Sequence, residues 1–215
     1  RLNMGAAVVG KYALFAGGMA DGWGNASAKV DVYDTSLTHT MATNLTGIPR
    51  EYVRGASVGN YALFAGGQQF EKKSNVLWEV FMVDAYDASL TKTRASNLGS
   101  NKNRDAAATV GNHAVFVGSP DSADIYDASL TRTSAAILST ARTGLAATTV
   151  GDYAIFSGGG VADFCDASLT RSSIGTSMTG YDMGAATIGD YALFAGGQSG
   201  ENSGTAYDSV EVYTA

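Results

Sequence analysis

Cysteine, proline and charge are all scarce in this sequence, and each scarcity excludes something. The one cysteine, Cys165, permits no intrachain disulfide, and no Cys-x-x-Cys or Cys/His spacing of a metal site is present. Two prolines rule out a collagen-like chain or a proline-rich linker. Charged residues make up only 16%, against roughly 25% in an average soluble domain. The net charge is −6, so the basic surface that general nucleic-acid binding needs is missing and no nucleic-acid partner is expected. No apolar run approaches the ~18 residues of a spanning helix, so no membrane insertion is expected. The chain begins at Arg1 rather than Met, which reads as processing or excision. Absence of a signal peptide therefore says nothing about where it works.

What the chain does have is glycine, 27 of 215 residues, with 11 Tyr and 8 Phe and 45% hydrophobic residues overall. That mixture predicts many short strands joined by tight turns and excludes a helical bundle. The arrangement is periodic. Gly10-Lys-Tyr-Ala-Leu-Phe-Ala-Gly-Gly18 recurs from Gly59, Gly111, Gly151 and Gly189. A second block follows each time: Val32-Tyr-Asp-Thr-Ser-Leu-Thr38, then its equivalents from Ala85, Ile125 and Phe164. In the fifth copy only Val212-Tyr213 remains of it. Five copies of one supersecondary unit make a single domain over 1–215, with units of about 1–49, 50–98, 99–139, 140–177 and 178–215.

Each unit reads as four strands, named a to d. Strand a is small and β-branched (Ala146-Ala-Thr-Thr-Val150), and strand b (Tyr61-Ala-Leu-Phe-Ala65) is apolar on both faces, as a strand buried between sheets should be. The Gly-Asn, Gly-Asp or Gly-Lys between them is a two-residue hairpin signal. The Gly66-Gly67 doublet tolerates positive φ and close approach of neighbouring backbone. In Tyr-Asp-Ala-Ser-Leu-Thr the aspartate can fold back on backbone N–H groups, after which a polar strand such as Thr91-Lys-Thr-Arg94 ends the unit. Four antiparallel strands per ~45 residues, repeated, is a β-propeller blade. The expected fold is therefore all-β, a five-bladed propeller whose last blade lacks its outer strand.

The Gly-Gly ending strand b, the Tyr closing strand c and the Pro49-Arg50 before strand a together resemble the kelch repeat, across nearly the whole chain. The sequence departs from that pattern in three ways. The family's strand-d Trp is replaced throughout by Ser-Leu-Thr-Lys/Arg-Thr, unit three has Gly118-Ser119, and unit four has Cys165 where Tyr belongs. The repeat wording also resembles kelch-like segments of bacterial surface and phage tail proteins. That resemblance implies attachment and an extracellular or virion-associated location.

Alternating strand direction places the b–c loops and the d–a connections on one face. The a–b and c–d turns, nearly constant in length, lie on the other and read as structural. The b–c loop is long in units one and two and almost absent in units three and four, and Trp23 and Trp78 fall in or beside the long ones. Variable loops on a rigid scaffold are where function is usually placed. Nine residues before the leading glycines stand Arg1, Arg50, Lys102, Arg142 and Gly180, with Arg54 and Arg104 nearby. The kelch resemblance puts these at the mouth of a central channel and implies a cationic rim suited to carboxylate, sulfate or phosphate. The candidate ligand-binding set is Arg1, Arg50, Arg54, Arg104, Arg142, Trp23, Tyr52 and Tyr181. Buried packing for the tryptophans and salt-bridging for the arginines are the bland alternatives.

Nothing assembles a catalytic set. His113 and His39 read as core-edge and outer-surface residues, and the repeated Asp34, Asp87, Asp127 and Asp166 as turn caps rather than metal ligands. The copper oxidase branch of the kelch family needs Tyr, His and Cys ligands on the axis, which Cys165 on strand c does not offer. No cofactor is expected. The leading functional reading is a non-enzymatic recognition module for a glycan or an acidic protein or peptide. Its rivals are a glycan-processing enzyme at the channel mouth, with Glu51, Tyr52 and Tyr181 as the near candidates, and a structural spacer. The last strand should leave an open edge carrying Val210 and Val212, able to pair with another chain, and a closed five-blade ring is favoured over part of a larger one.

Overall fold

The computed structural model describes residues 1–20, 25–99, 104–119, 122–177, 179–200 and 204–214, with Arg104 described by its backbone alone. Among them every regular element is a β-strand. The first sheet is β1 (Gly5–Val9), β2 (Tyr12–Ala16), β3 (Val30–Asp34) and β4 (His39–Ala42), in that order. The second is built from β5 (Arg54–Val58), β6 (Tyr61–Ala65), β9 (Val83–Asp87) and β10 (Lys92–Arg94), with a separate hairpin, β7 (Gln68–Glu71) and β8 (Val76–Glu79), inserted between β6 and β9. The third is β11 (Arg104–Val110), β12 (His113–Gly118), β13 (Ser122–Tyr126) and β14 (Arg132–Ala136). The fourth is β15 (Ala146–Val150), β16 (Tyr153–Gly158), β17 (Val161–Asp166) and β18 (Arg171–Gly175). The fifth has three strands, β19 (Gly184–Ile188), β20 (Tyr191–Ala195) and β21 (Val210–Thr214). This is a β-propeller of five blades, the last with three strands among the described residues. The stretch read as a long loop in unit two is instead the β7–β8 hairpin.

The chain groups into two compact units, Arg1–Arg104 with Tyr126–Arg132, and Asp105–Ile125 with Thr133–Ala215. In the first, Val9, Leu14, Val30, Val32, Leu45, Val53, Phe64 and Tyr86 form a buried cluster. In the second, one cluster gathers Val115, Ile125, Ile137, Leu138, Phe156 and Cys165, and another joins Ile155 and Ala162 to Met183 and Phe194.

Local chemistry explains the strands. The a–b turn glycines Gly10, Gly59, Gly111, Gly151 and Gly189 all hold φ between 51° and 54°, where side chains are disfavoured. The Gly-Gly doublets mark a close crossing: a Cβ on Gly67 would lie 2.6 Å from the Glu51 carbonyl oxygen. In the c–d turn, Asp34 Oδ1 accepts from Ser36 N, Ser36 Oγ and Thr38 N at 2.9, 2.6 and 3.0 Å. Asp87, Asp127 and Asp166 repeat that arrangement. These turns are the capping devices the sequence suggested.

Successive inner strands are also tied by hydroxyls at one register position. Ser57 Oγ donates to the Val8 carbonyl at 2.7 Å, Thr149 Oγ to that of Thr109, and Thr187 Oγ to that of Thr149 at 2.5 Å. The strand-c tyrosines act similarly, Tyr86 Oη reaching the Thr43 carbonyl at 2.7 Å and Tyr126 Oη that of Ser96 at 2.8 Å.

Candidate functional site

The arginines before strand a fold inward. Arg50 has no exposed side-chain surface; it donates to Asp84 Oδ2 at 2.9 Å and to the Thr46 carbonyl at 2.7 Å. Asp84, equally buried, also accepts from Thr46 N and Thr46 Oγ1 at 3.0 and 2.6 Å. Burial pulls the Arg50 pKa below the ordinary guanidinium value, and the hydrogen bond and charge of Asp84 oppose it. Arg142 repeats the theme, 8% exposed, donating to Asp163 Oδ2 at 2.6 Å. Arg1 bonds Asp31 and donates to the Lys29 carbonyl at 2.9 Å. The physical reason is shared. Strand c carries an acid at Asp31, Asp84 and Asp163, and an acid among apolar side chains needs a cation beside it. Arg50 and Arg142 therefore do not form the solvent-facing cationic rim expected from sequence; each ties the segment before strand a to strand c of its own repeat.

Arg54 opens β5 and is half-buried. Arg104 opens β11, its side chain outside the described residues, as is the whole of Trp23. Tyr181, half-buried in the second unit, packs against Gly144, where a Cβ would meet its ring at 2.7 Å. Glu51 is only 3% exposed, and its backbone exchanges two 2.9 Å hydrogen bonds with Gln68, which leaves little of it to serve as an exposed acid.

Tyr52 is different. It is 40% exposed and its φ is 56°. The equivalent positions in units one, four and five carry Asn3, Gly144 and Asp182, all with positive φ and all residue types that tolerate it. A tyrosine there costs roughly 1–2 kcal/mol. The strain is accepted at an exposed ring, which is where a functional constraint is sought.

Tyr52 follows directly on the residue that anchors the β7–β8 hairpin: Glu51 pairs with Gln68, the first residue of β7. A lone two-stranded hairpin is marginal. This one is fixed at its root by the Glu51 bonds and by Val80 N to the Gly67 carbonyl at 2.9 Å. Beyond the root it is in solvent: Val76, Leu77 and Trp78 are 38%, 48% and 53% exposed, and the turn presents exposed Lys72 and Lys73. Trp78 is not buried. Its signal in the sequence is its place beside the longest b–c segment.

A second concavity lies on the first sheet, a cavity of about 290 Å³ lined by Arg1, Met4, Phe15, Asp31 and Tyr33. His39 Nε2 lies 3.0 Å from Asp31 Oδ1, with its ring 5.0 Å from that of Tyr33. Among the described residues no group of three His, Cys, Asp or Glu side chains stands at metal-binding distance.

No protein-family model and no curated protein matches this sequence. Solved structures do, among them one described as "Structure of YjhT", with a TM-score of 0.72 and 13% identity over 91% of this chain and 72% of that one. At that identity the likeness carries the propeller fold and nothing finer.

Proposed function

We propose that this chain is a kelch-like recognition module without catalytic activity, and that it reads its ligand with the β7–β8 hairpin and Tyr52. The observation that carries the reading is Trp78, 53% exposed on a hairpin anchored to a rigid sheet. Aromatic faces bind the apolar face of a sugar ring or an apolar spot on a protein, and a rigid aromatic loses little entropy on contact. Lys72 and Lys73 at the turn add a cationic point, so the favoured ligand is a glycan bearing carboxylate or sulfate. An acidic protein surface is the next class. The resemblance of the repeats to bacterial surface and phage tail segments fits an extracellular or virion-associated attachment role.

A glycan array probed with the labelled chain, alongside an acidic peptide set, tests this. Trp78→Ala should lower binding at least about tenfold while circular dichroism stays unchanged. Tyr52→Asn should weaken binding and raise unfolding free energy by about 1 kcal/mol, since asparagine relieves the positive-φ strain. Wild-type-like binding by Trp78→Ala, turnover of the bound glycan, or no binding on either array would each refute the reading.

A further inference from the structure

We propose that the turn of the β7–β8 hairpin is a processing site for an endopeptidase specific for basic residues, and that cutting it releases the hairpin while the sheet beneath stays folded. The turn holds Lys72-Lys73, the one adjacent pair of basic residues in the sequence. Every residue from Glu71 to Glu79 is exposed, and none from Gln68 to Glu79 is buried. A folded segment must open locally before an endopeptidase cuts it, and exposed turn tips are where such nicks concentrate. This hairpin opens at little cost. It is two-stranded, and its cross-strand pairs run from Gln68–Glu79 to Glu71–Val76. Across the turn Ser74 Oγ donates to Glu71 at 2.8 Å, and no buried side chain has to leave a core. Other basic residues are less open to attack. Arg54, Lys92 and Arg171 stand in strands of the larger sheets, and Arg50 and Arg142 carry buried side chains. Lys11 lies in a two-residue turn closed by the Val9–Tyr12 pair.

The cut breaks one peptide bond. Water adds its hydroxyl to the Lys73 carbonyl carbon, the C–N bond breaks, and the proton passes to the Ser74 nitrogen. The new acid then ionises and the new amine takes up its proton. Cutting after Lys72 does the same one residue earlier. β7 stays tied at Gln68 to Glu51, and β8 at Val80 to Gly67, through 2.9 Å hydrogen bonds, but the turn no longer holds the two strands in register. The second sheet does not depend on the hairpin. β6 pairs directly with β9, from Tyr61–Asp87 to Ala65–Val83, and Phe64, Val83 and Ala85 are buried there. Trp78 is thus left on a loose end of chain beside an intact sheet. Where Trp78 carries recognition, as proposed, the cut switches binding off.

Brief trypsin digestion of the folded chain tests this, with the first fragments weighed by mass spectrometry. The first cut should fall after Lys72 or Lys73. The two fragments should co-elute in gel filtration and keep the circular dichroism of the intact chain. Lys72→Gln with Lys73→Gln should slow the loss of intact chain about tenfold or more. Amide exchange in β8 should become fast in the nicked chain, while β6 and β9 keep their protection. A first cut elsewhere, an unchanged rate in the double variant, or a nick that unfolds the second sheet would overturn the proposal. These readouts need no ligand, so they hold or fail independently of the recognition reading. On the glycan array the nicked chain should bind at least about tenfold more weakly than the intact one, and equal binding by both would overturn the switch.

Discussion

Arg50 and Asp84 present no side-chain surface to solvent, and each other's charge, with the Thr46 hydrogen bonds, makes that tenable. Arg50→Ala should therefore destabilise by about 3–5 kcal/mol in urea unfolding, by stranding a buried carboxylate. The double variant Arg50→Met with Asp84→Leu, which removes both charges, should recover most of that loss. If the single variant unfolds like wild type, the pair is not the structural clamp described here. Cys165 gives a second test at this scale. It stands where other repeats have Tyr, fully buried, and burial, with the nearby Asp166 charge, raises its thiol to about 11 from 9.0. Because the folded value is the higher one, the protonated thiol is favoured by folding below pH 9, and that contribution is lost as pH rises through 11. Iodoacetamide at pH 9 should thus leave Cys165 unmodified in the native protein and alkylate it in urea. Rapid native labelling would contradict its burial. The arginines also show where reading from sequence runs out. Their nine-residue offset from the turn glycines was visible, but not that each would meet an acid some 20 to 35 positions later. A signal existed: Asp31, Asp84, Asp124 and Asp163 each precede by two the strand-c Tyr or its Cys replacement, and an acid inside an otherwise apolar strand asks for a cation.

At the scale of the element, the turns were legible and the insertion was not. Gly at positive φ and Asp capping Ser and Thr are local chemistry, so short sequence windows identify them. The hairpin escaped because Gln68-Gln-Phe-Glu71 is polar and short, and its pairing with Val76–Glu79 depends on an anchor at Glu51 outside both strands. The capping aspartates carry a pH prediction. In Asp34, Asp87 and Asp166 the serine hydroxyl and backbone donors hold the carboxyl below its ordinary 3.8. A group whose folded value is depressed contributes above the unfolded value and loses that contribution as pH falls through the folded one. Stability should therefore decline as pH drops below about 3.8, and Asp87→Asn should flatten that decline. Urea melts at stepped pH values from neutral to strongly acidic measure it. Parallel curves for wild type and Asp87→Asn would mean that the cap contributes nothing.

At the scale of the whole molecule, repetition does not mean equal stability. A repeat array is held by the sum of each unit's own packing and its contacts with neighbours, so a unit short of either term opens first. Among the described residues the fifth sheet is short of the first. It has three strands where the others have four, and β19 and β21 bury no side chain fully, whereas β6, β12 and β16 bury nearly all of theirs. The exception within it is β20, where Ala192 and Phe194 are buried in one cluster with Ile155 and Ala162 of the fourth repeat. Amide hydrogen exchange of the dilute protein should therefore be fastest in β21 and β19, intermediate in β20, and slowest in β6, β12 and β16. Exchange at β21 reports local opening, because among the described residues its only partner strand is β20. Since Val210 and Val212 are exposed, substituting them with Thr should leave the rates elsewhere unchanged. Uniform protection across all five sheets would show that the array opens as one cooperative body and would defeat this ordering.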